Sequence, residues 1–218
     1  MPTKTNRGKN PGFPDASDNV FLNIPYDPGF ESLYLAFIAG LCGFGLIPRA
    51  VLQIPGSKRR LDRILSLIRR CKISFHDLSR VELDRNRPPT PRFNMPFELG
   101  LAVALQRAGD PTHRWYVFEA KAHRVQKSLS DLNGTEIYIH RGKPIGVFQQ
   151  LANALTRTTH RPTVLELQAI YRDLKKAAER IKRELRTKSV FETRAYEDLV
   201  VAASASARKR IASLREDG

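Results

Sequence analysis

Short apolar segments alternate with longer segments of helical periodicity along most of this chain. The strand-like segments are 20–24, 46–54, 72–78, 115–119 and 135–140. Between them, apolar residues recur at helical spacing in 30–43, 57–70, the segment that begins at Asn94, part of 122–132, and 144–155, with Ser57 and Asn94 as predicted N-caps. Strands that alternate with helices in this way predict an α/β fold with a parallel, doubly wound sheet.

The two ends of the chain depart from this alternation. Residues 1–18 are rich in Pro, Gly, Asn and Lys, which predicts a disordered tail before a folded region at 19–158. Residues 163–218 contain one helical segment with a regular apolar stripe and a second, alanine-rich one, so we expect a C-terminal helical hairpin. The stripe packs either on the core of the same chain or on another chain, in a homo-oligomer or with a partner protein.

Composition argues against several classes of protein. The chain has no run of about 18 apolar residues, so we expect no association with a membrane, and its first residues do not read as a signal peptide. Its two cysteines, Cys42 and Cys71, fall in apolar helical patterns and support neither a disulfide framework nor a zinc site. These features predict a cytoplasmic protein.

The net charge of +15 at pH 7 is high for 218 residues and permits nucleic acid or a small anionic ligand as partner. No base-stacking motif, zinc finger or helix-turn-helix accompanies the charge, so a solvated basic surface is the simpler explanation. We therefore favour a small, phosphate-bearing nucleotide over nucleic acid, because it needs only a few of the arginines.

The most informative polar residue is Glu98, because it lies near the start of an otherwise apolar helical segment. A carboxylate is costly to bury without a partner, so Glu98 either faces solvent or lines a pocket. Upstream, the buried-strand pattern at 73–79 ends in polar residues, among them Asp77. Ligands of parallel α/β sheets bind outside the carboxyl ends of the strands, so we expect Asp77 and Glu98 to meet at one site.

Further polar residues follow the strand ends that would form the same edge of the sheet. A carboxylate pair surrounded by amide, phenol and guanidinium groups can hold a ribose and polarise a glycosidic bond, with one carboxylate as nucleophile or as stabiliser of an oxocarbenium-like centre. Phosphates would be met by arginines or by a helix N-terminus. The candidates beside the two carboxylates are Asn23, Tyr26, Arg49, Arg80 and Asn94.

Each of these residues also has a purely structural alternative. Near a helix start Glu98 is stabilised by the helix macrodipole, Asp77 can cap the next turn, and Arg49 can form a salt bridge. His76 is better explained as a core or surface histidine than as a base. The histidines are too scattered to ligate a metal, and the chain lacks a glycine-rich dinucleotide fingerprint, a P-loop and a nucleophile elbow. We expect neither a metal nor a resident cofactor.

Two segments resemble known families. Residues 20–26, with the sequence Val-Phe-Leu-Asn-Ile-Pro-Tyr, resemble the first strand of Toll/interleukin-receptor (TIR) domains and of nucleoside 2-deoxyribosyltransferases. Asp77 followed by residues 94–102, Asn-Met-Pro-Phe-Glu-Leu-Gly-Leu-Ala, is similar to the aspartate and the Glu-Leu-Gly-x-Ala helix of the transferases. The resemblance covers about residues 19–158 and implies a flavodoxin-like, five-stranded parallel sheet flanked by helices.

The resemblance also implies a chemistry. In the transferases this glutamate is the nucleophile at the anomeric carbon of the sugar. In bacterial TIR enzymes a glutamate on the equivalent helix is required to cleave the nicotinamide glycosidic bond of NAD. By this resemblance Glu98 attacks or stabilises the anomeric carbon and Asp77 orients the ribose or the base. The substrate-binding residues it implies are Asn23, Tyr26, Arg49, Arg80, Asn94 and Asp131.

More narrowly, the chain resembles a group of bacterial TIR-like proteins that are often linked to anti-phage defence. The blocks that carry this resemblance are 20–26, 76–80, 91–100 and 130–134. TIR enzymes commonly become active only on assembly, which the C-terminal helices of this chain could provide.

Two departures leave the substrate open. TIR NAD hydrolases usually carry a serine or cysteine a few residues before the glutamate, where this chain has Arg92, Phe93 and Asn94, so Asn94 would take the hydrogen-bonding role. The Gly-Thr pair that the transferases usually carry is also missing. The sequence predicts an NAD glycohydrolase or a deoxyribosyltransferase-like enzyme. The alternative is a non-catalytic nucleotide-sensing or protein-interaction module.

Overall fold

The computed structural model describes residues 18–54, 59–83, 87–158 and 160–216. Most of the predicted tail, residues 1–17, and the predicted cap Ser57 lie outside these ranges. The strands are β1 (Asn19–Asn23), β2 (Ile47–Arg49), β3 (Ile73–Asp77), β4 (Arg114–Glu119) and β5 (Ile137–Ile139). The helices are α1 (Glu31–Gly43), α2 (Arg60–Arg69), α3 (Asn94–Ala108), α4 (Arg124–Ser128), α5 (Pro144–Ala154), α6 (Val164–Glu184) and α7 (Thr193–Glu216).

The five strands form one parallel sheet in the order β2-β1-β3-β4-β5. This confirms the predicted α/β class with a flavodoxin-like strand order. In the register of the central pair, Asn23 of β1 lies beside His76 of β3. The last residues of β1 and β3 therefore end at the same edge of the sheet.

Helices cover both faces of the sheet. On one face, β1 contributes Phe21 to a cluster with Ile64 and Ile68 of α2 and Ala102 of α3. On the other face, Leu22 belongs to the main core, which α1, α5, α6 and α7 complete. The two clusters explain why the sequences of the central strands are continuously apolar, since parallel strands are buried on both faces.

Two predicted elements differ from the observed ones. The strand expected at 46–54 is only three residues long, and a short 3-10 helix, Val51–Gln53, follows it. β2 is an edge strand that contains Pro48, and proline cannot donate to a sheet ladder, so its pairing is short. Asn94 is not the N-cap of α3: Phe93 holds that position, and Asn94 is the first helical residue.

The C-terminal hairpin packs on α1 of the same chain. Its first helix begins with a capping box, in which Thr163 Oγ1 accepts from the Glu166 amide at 3.2 Å and Glu166 Oε2 accepts from the Thr163 amide at 2.6 Å. The predicted apolar stripe is buried in the main core, so plain core packing is confirmed for it. Gly43 of α1 allows close approach of α6, because a Cβ there would fall 2.4 Å from Leu167 Cδ2.

Within the described ranges, no helix is both long and apolar enough to cross a membrane.

Gly146 of α5 provides a test of this packing. A Cβ at Gly146 would fall 2.1 Å from the carbonyl oxygen of His140, which is backbone and cannot rotate away. We expect Gly146→Ala to lower the free energy of unfolding by roughly 1–3 kcal/mol in urea denaturation. The matched control is Gly100→Ala in α3, where nothing lies within 4 Å of the new Cβ. That variant should be unchanged or up to about 1 kcal/mol more stable, through helix propensity. Equal effects of the two variants would contradict the close approach.

Candidate functional site

The strand order has a switch point between β1 and β3. From β1 the chain turns outward to β2 and then crosses back to β3 on the opposite side of β1. In open α/β sheets, such a reversal leaves a crevice at the carboxyl ends of the two central strands, and ligands bind there. In this protein the place expected for such a crevice lies beside Asn23 at the end of β1, the end of β3 and the first turns of α3.

Glu98 lies in the second turn of α3 and is buried, with 4% of its surface exposed. Its Oε2 atom is buried and accepts no hydrogen bond from the described residues. Burial raises the pKa of this carboxyl to about 7, against a smaller lowering effect of the Arg60 charge. Glu98 is therefore a carboxyl group that exchanges its proton near neutral pH, at the place where this fold class binds ligands.

Two side chains from neighbouring elements interact electrostatically with Glu98. Tyr26, in the loop after β1, has a raised pKa, first because it is buried and second because of the negative charge of Glu98. Arg60, the first residue of α2, acts on both groups in the opposite direction. Arg60 is held by a hydrogen bond of 3.0 Å from its Nη1 to the Ile54 carbonyl oxygen. A cation and a phenol therefore accompany the buried carboxyl.

A chain of buried hydrogen bonds anchors the start of α3 to the sheet. Asn23 Nδ2 donates to the carbonyl oxygen of Met95 at 2.9 Å and lies 3.0 Å from His76 Nδ1. His76 Nε2 lies 2.9 Å from Ser74 Oγ, which in turn lies 3.1 Å from His113 Nε2. His113 Nδ1 completes the chain at 2.9 Å from the Cys71 carbonyl oxygen.

The donor and acceptor of each hydrogen bond follow from the groups at the two ends of this chain of hydrogen bonds. A carbonyl oxygen only accepts, so His113 Nδ1 carries a proton and its Nε2 accepts from Ser74. Ser74 Oγ then accepts from His76 Nε2, and His76 Nδ1 accepts from the Asn23 amide. Both histidines are neutral in this scheme. Burial supports it, because it lowers the pKa of His76 to about 3 and also lowers the pKa of His113. His76 is thus a satisfied core histidine, and not a base.

Arginines surround a carboxylate at the rim of the crevice. Asp27, in the loop after β1, pairs with Arg80 from the loop after β3, at 3.2 Å, and with Arg92 before α3, at 3.6 Å. The guanidinium of Arg80 also lies 5.8 Å from the ring centre of Phe30. Two cations on one anion leave a net positive charge at the rim, and both arginines keep part of their surface in solvent.

Asp77 is engaged inside the fold. Its Oδ2 accepts from His140 Nε2 at 2.9 Å, and its Oδ1 accepts from the Ser79 amide at 2.9 Å, which is the cap of the next turn that the structural alternative predicted. His140 Nδ1 accepts from the Gly142 amide at 3.1 Å, so the ring carries its proton on Nε2. The side chains of Asp77 and His140 are fully buried.

The structure does not bring Asp77 and Glu98 together. Along β3, Asp77 alternates with His76 and shares its face with Phe75, which belongs to the core on α1. His140, the partner of Asp77, contacts Phe37 of α1. Glu98 instead belongs to α3, which packs on the other face. The two carboxyl groups therefore occupy opposite faces of the sheet.

Two predicted substrate-binding residues, Arg49 and Asp131, also lie apart from Glu98. Arg49 donates from Nε to Asn19 Oδ1 at 2.7 Å, which directs its side chain toward the amino end of β1. Asn94 is exposed on the first turn of α3, one helical turn before Glu98 and on the same side of the helix. Asp131 is exposed on a 3-10 helix between α4 and β5, and within the described ranges it bonds to none of the other predicted site residues. Of the predicted set, Tyr26 interacts electrostatically with Glu98, Asn23 bonds to the first turn of α3, and Arg80 pairs with Asp27 in the loop after β1.

Sequence reasoning missed two residues of the site. Arg60 falls inside the helix that the sequence predicts to start at Ser57, so nothing in the sequence distinguishes it from the other polar residues of that helix. Arg92 precedes α3 in a charged, proline-rich segment, and only its pairing with Asp27 singles it out. The described residues contain no group of three or more His, Cys, Asp or Glu that could hold a metal.

Comparison of the chain with models of known families, with curated proteins and with solved structures finds no match.

The raised pKa of Glu98 predicts a pH-dependent cost in stability. Between the ordinary value of 4.5 and about 7, the folded protein keeps a proton that the unfolded chain releases, so the free energy of unfolding falls as pH rises through this window. We expect the free energy of unfolding of Glu98→Gln, a neutral isostere, not to fall in this way. At about pH 8 it should be more stable than the wild type by up to roughly 3 kcal/mol, with the difference vanishing near pH 4.5.

Urea denaturation across this pH range measures the effect. The control is Glu184→Gln, which removes an exposed carboxylate at the end of α6. A difference between Glu98→Gln and wild type that does not change with pH would contradict the raised pKa.

The contacts of Asp77 predict that even an isosteric amide is harmful. An asparagine offers one acceptor, whereas Ser79 N–H and His140 Nε2–H both require one. The imidazole cannot change tautomer without opposing the Gly142 amide. We expect Asp77→Asn to lose about 1–3 kcal/mol in urea denaturation, whereas Asp131→Asn on the exposed 3-10 helix stays near wild type. Equal stability of the two variants would count against the structural role.

Proposed function

We propose that this protein is an enzyme that cleaves or exchanges the N-glycosidic bond of NAD or a related nucleotide. The observation that carries the proposal is the buried Glu98 carboxyl, with an unpartnered oxygen, at the switch point of the sheet. A fold does not retain such a group for stability, because leaving a buried carboxylate oxygen unpaired is costly. Its position relative to the central strands agrees with the resemblance to TIR domains and deoxyribosyltransferases.

In the proposed reaction, Glu98 acts in its ionised form. Its oxygen attacks the anomeric carbon of the ribose, or stabilises positive charge there, while the bond from that carbon to the base nitrogen breaks and the base leaves with the bonding pair. Water, or the nitrogen of a second base, then attacks the same carbon and releases Glu98. A pKa of about 7 leaves a useful fraction of the carboxyl ionised at neutral pH, and its low hydration keeps it reactive.

The surrounding residues have separate roles in this proposal. Asn23 fixes α3, and therefore the Glu98 backbone, through its bond to the Met95 carbonyl oxygen. Arg80 and Arg92 at the rim provide guanidinium groups for substrate phosphates, for which they would exchange Asp27. Asp77 is left out, because both of its oxygens are used inside the fold. A role in anti-phage defence rests on the resemblance alone.

A second candidate is a nucleotide-sensing module without turnover. It is favoured by the first turn of α3, where Asn94 is exposed and makes no capping bond in place of the serine or cysteine of TIR hydrolases. The same crevice would then bind a nucleotide, and Glu98 would respond to it by changing its protonation.

A base-release assay tests the proposed activity. Purified protein, concentrated to permit assembly, is incubated with NAD and a panel of nucleosides and nucleotides, and free base is measured by chromatography. We expect release by wild type and by the control Glu184→Gln, with at least about a hundredfold loss of rate in Glu98→Gln. Nucleotide binding should survive in Glu98→Gln.

The other outcomes separate the two candidates. Tight nucleotide binding in calorimetry without release from any substrate would contradict the enzyme and support the sensing module. Equal release by wild type and Glu98→Gln would show that Glu98 is not the group responsible.

A further inference from the structure

Arginines line a groove at the β2 edge of the sheet. The groove has a volume of about 920 Å³ and runs between β2, α2 and α7. Asn19, which begins β1, and Cys71, which precedes β3, are among its lining residues. The groove therefore reaches the amino ends of the central strands, whereas Glu98 lies at their carboxyl ends. Its arginines are Arg49, Arg63, Arg69 and Arg70.

A second groove continues the first along α7. Its volume is about 480 Å³, and it shares Arg49, Gln53 and Glu197 with the larger groove. It adds a fifth arginine, Arg208, which is exposed on α7. The two grooves together form a cationic channel that is longer than a single phosphate group needs.

The cations are spread along this channel instead of converging on one point. Arg63, Ser66 and Arg70 occupy one face of α2, because they are three and seven residues apart. Two helical turns separate the two arginines by roughly 10 Å along the helix axis. A hydroxyl donor lies between them.

Few anions oppose this charge. Within the described ranges, Arg63, Arg69 and Arg70 form no ion pair with a carboxylate. The lining residues include one carboxylate, Glu197, which accepts a hydrogen bond of 3.3 Å from Gln53. Positive charge is therefore concentrated in this channel, whereas composition gives only the net charge of the whole chain.

We propose that this channel binds the sugar–phosphate backbone of a nucleic acid. The cations that line it among the described residues are all arginines, whose planar guanidinium groups match phosphate oxygens with paired hydrogen bonds. Ser66 and Gln53 supply the neutral donors that backbone contacts commonly use. A membrane surface is a poor match for a concave channel, and five arginines in two adjoining grooves are more than the phosphates of one small nucleotide need.

The lining also indicates the mode of binding. No aromatic residue in the described part of the chain lines either groove, and single-strand binding proteins depend on aromatic stacking. The channel therefore holds a duplex through its phosphates, without reading its sequence. Such binding depends strongly on salt, because counterions are released from the nucleic acid.

Fluorescence anisotropy with a labelled DNA duplex of about 20 base pairs tests the proposal. We expect wild-type binding in the micromolar range at low salt, equal for two unrelated sequences and weaker for a single strand of the same length. The double variant Arg63→Gln/Arg70→Gln should weaken binding at least tenfold and lower the slope of log affinity against log salt by about 2. The control Arg157→Gln/Arg183→Gln removes two exposed arginines outside the channel and should keep both values near wild type.

Glu98→Gln should leave this binding unchanged, so failure of the glycosidase proposal would not affect it. Equal loss in both double variants would overturn the channel in favour of a diffuse charge effect. Tighter binding of polyglutamate than of duplex would assign the channel to an acidic protein, and no binding at low salt would also refute the proposal.

Discussion

The hydrogen bond from Asn23 to the carbonyl oxygen of Met95 determines where α3 begins over the sheet. Asn23 is in turn oriented by His76, and the chain of neutral hydrogen bonds continues through Ser74 and His113 to the amino ends of β3 and β4. Because this network is satisfied at every position, it provides a rigid frame for the first turns of α3. The burial of Glu98 is a consequence of that frame, since its Oε2 atom has no hydrogen-bond partner of its own among the described residues.

Stability and the proposed function therefore depend on different groups at the same edge. Asp77 and His140 hold the ends of β3 and β5 together with all their polar atoms paired. Glu98 lies on the opposite face with a pKa of about 7, which is a cost to the fold at alkaline pH. A buried carboxyl that burdens the fold and faces a ligand-binding crevice is typical of a site under functional constraint. Arginines are likewise found in two separate groups, as a pair at the rim of the crevice and as a longer channel at the β2 edge.

Periodicity was sufficient to predict five strands and their helices, because parallel strands and amphipathic helices leave long signals in the chain. The rule that ligands meet strand ends predicted one edge for both Asp77 and Glu98 but did not distinguish the two faces of the sheet. The twofold alternation along β3 does distinguish them, since His76 and Asp77 are neighbours and must point in opposite directions. Arg49 illustrates a different limit: its contact with Asn19 depends on the short edge strand and on the groove beside it, and neither is visible in a single sequence.

The most direct test of this account is the pKa of Glu98 itself, measured by carboxyl ¹³C NMR during a pH titration, with Glu98→Gln used to assign the signal. We predict a value of about 7 in the free protein and a change in that value when a nucleotide fills the crevice. A value near 4.5 that does not respond to any nucleotide would show that the carboxyl is hydrated or paired, and would contradict the assignment of this crevice as the functional site.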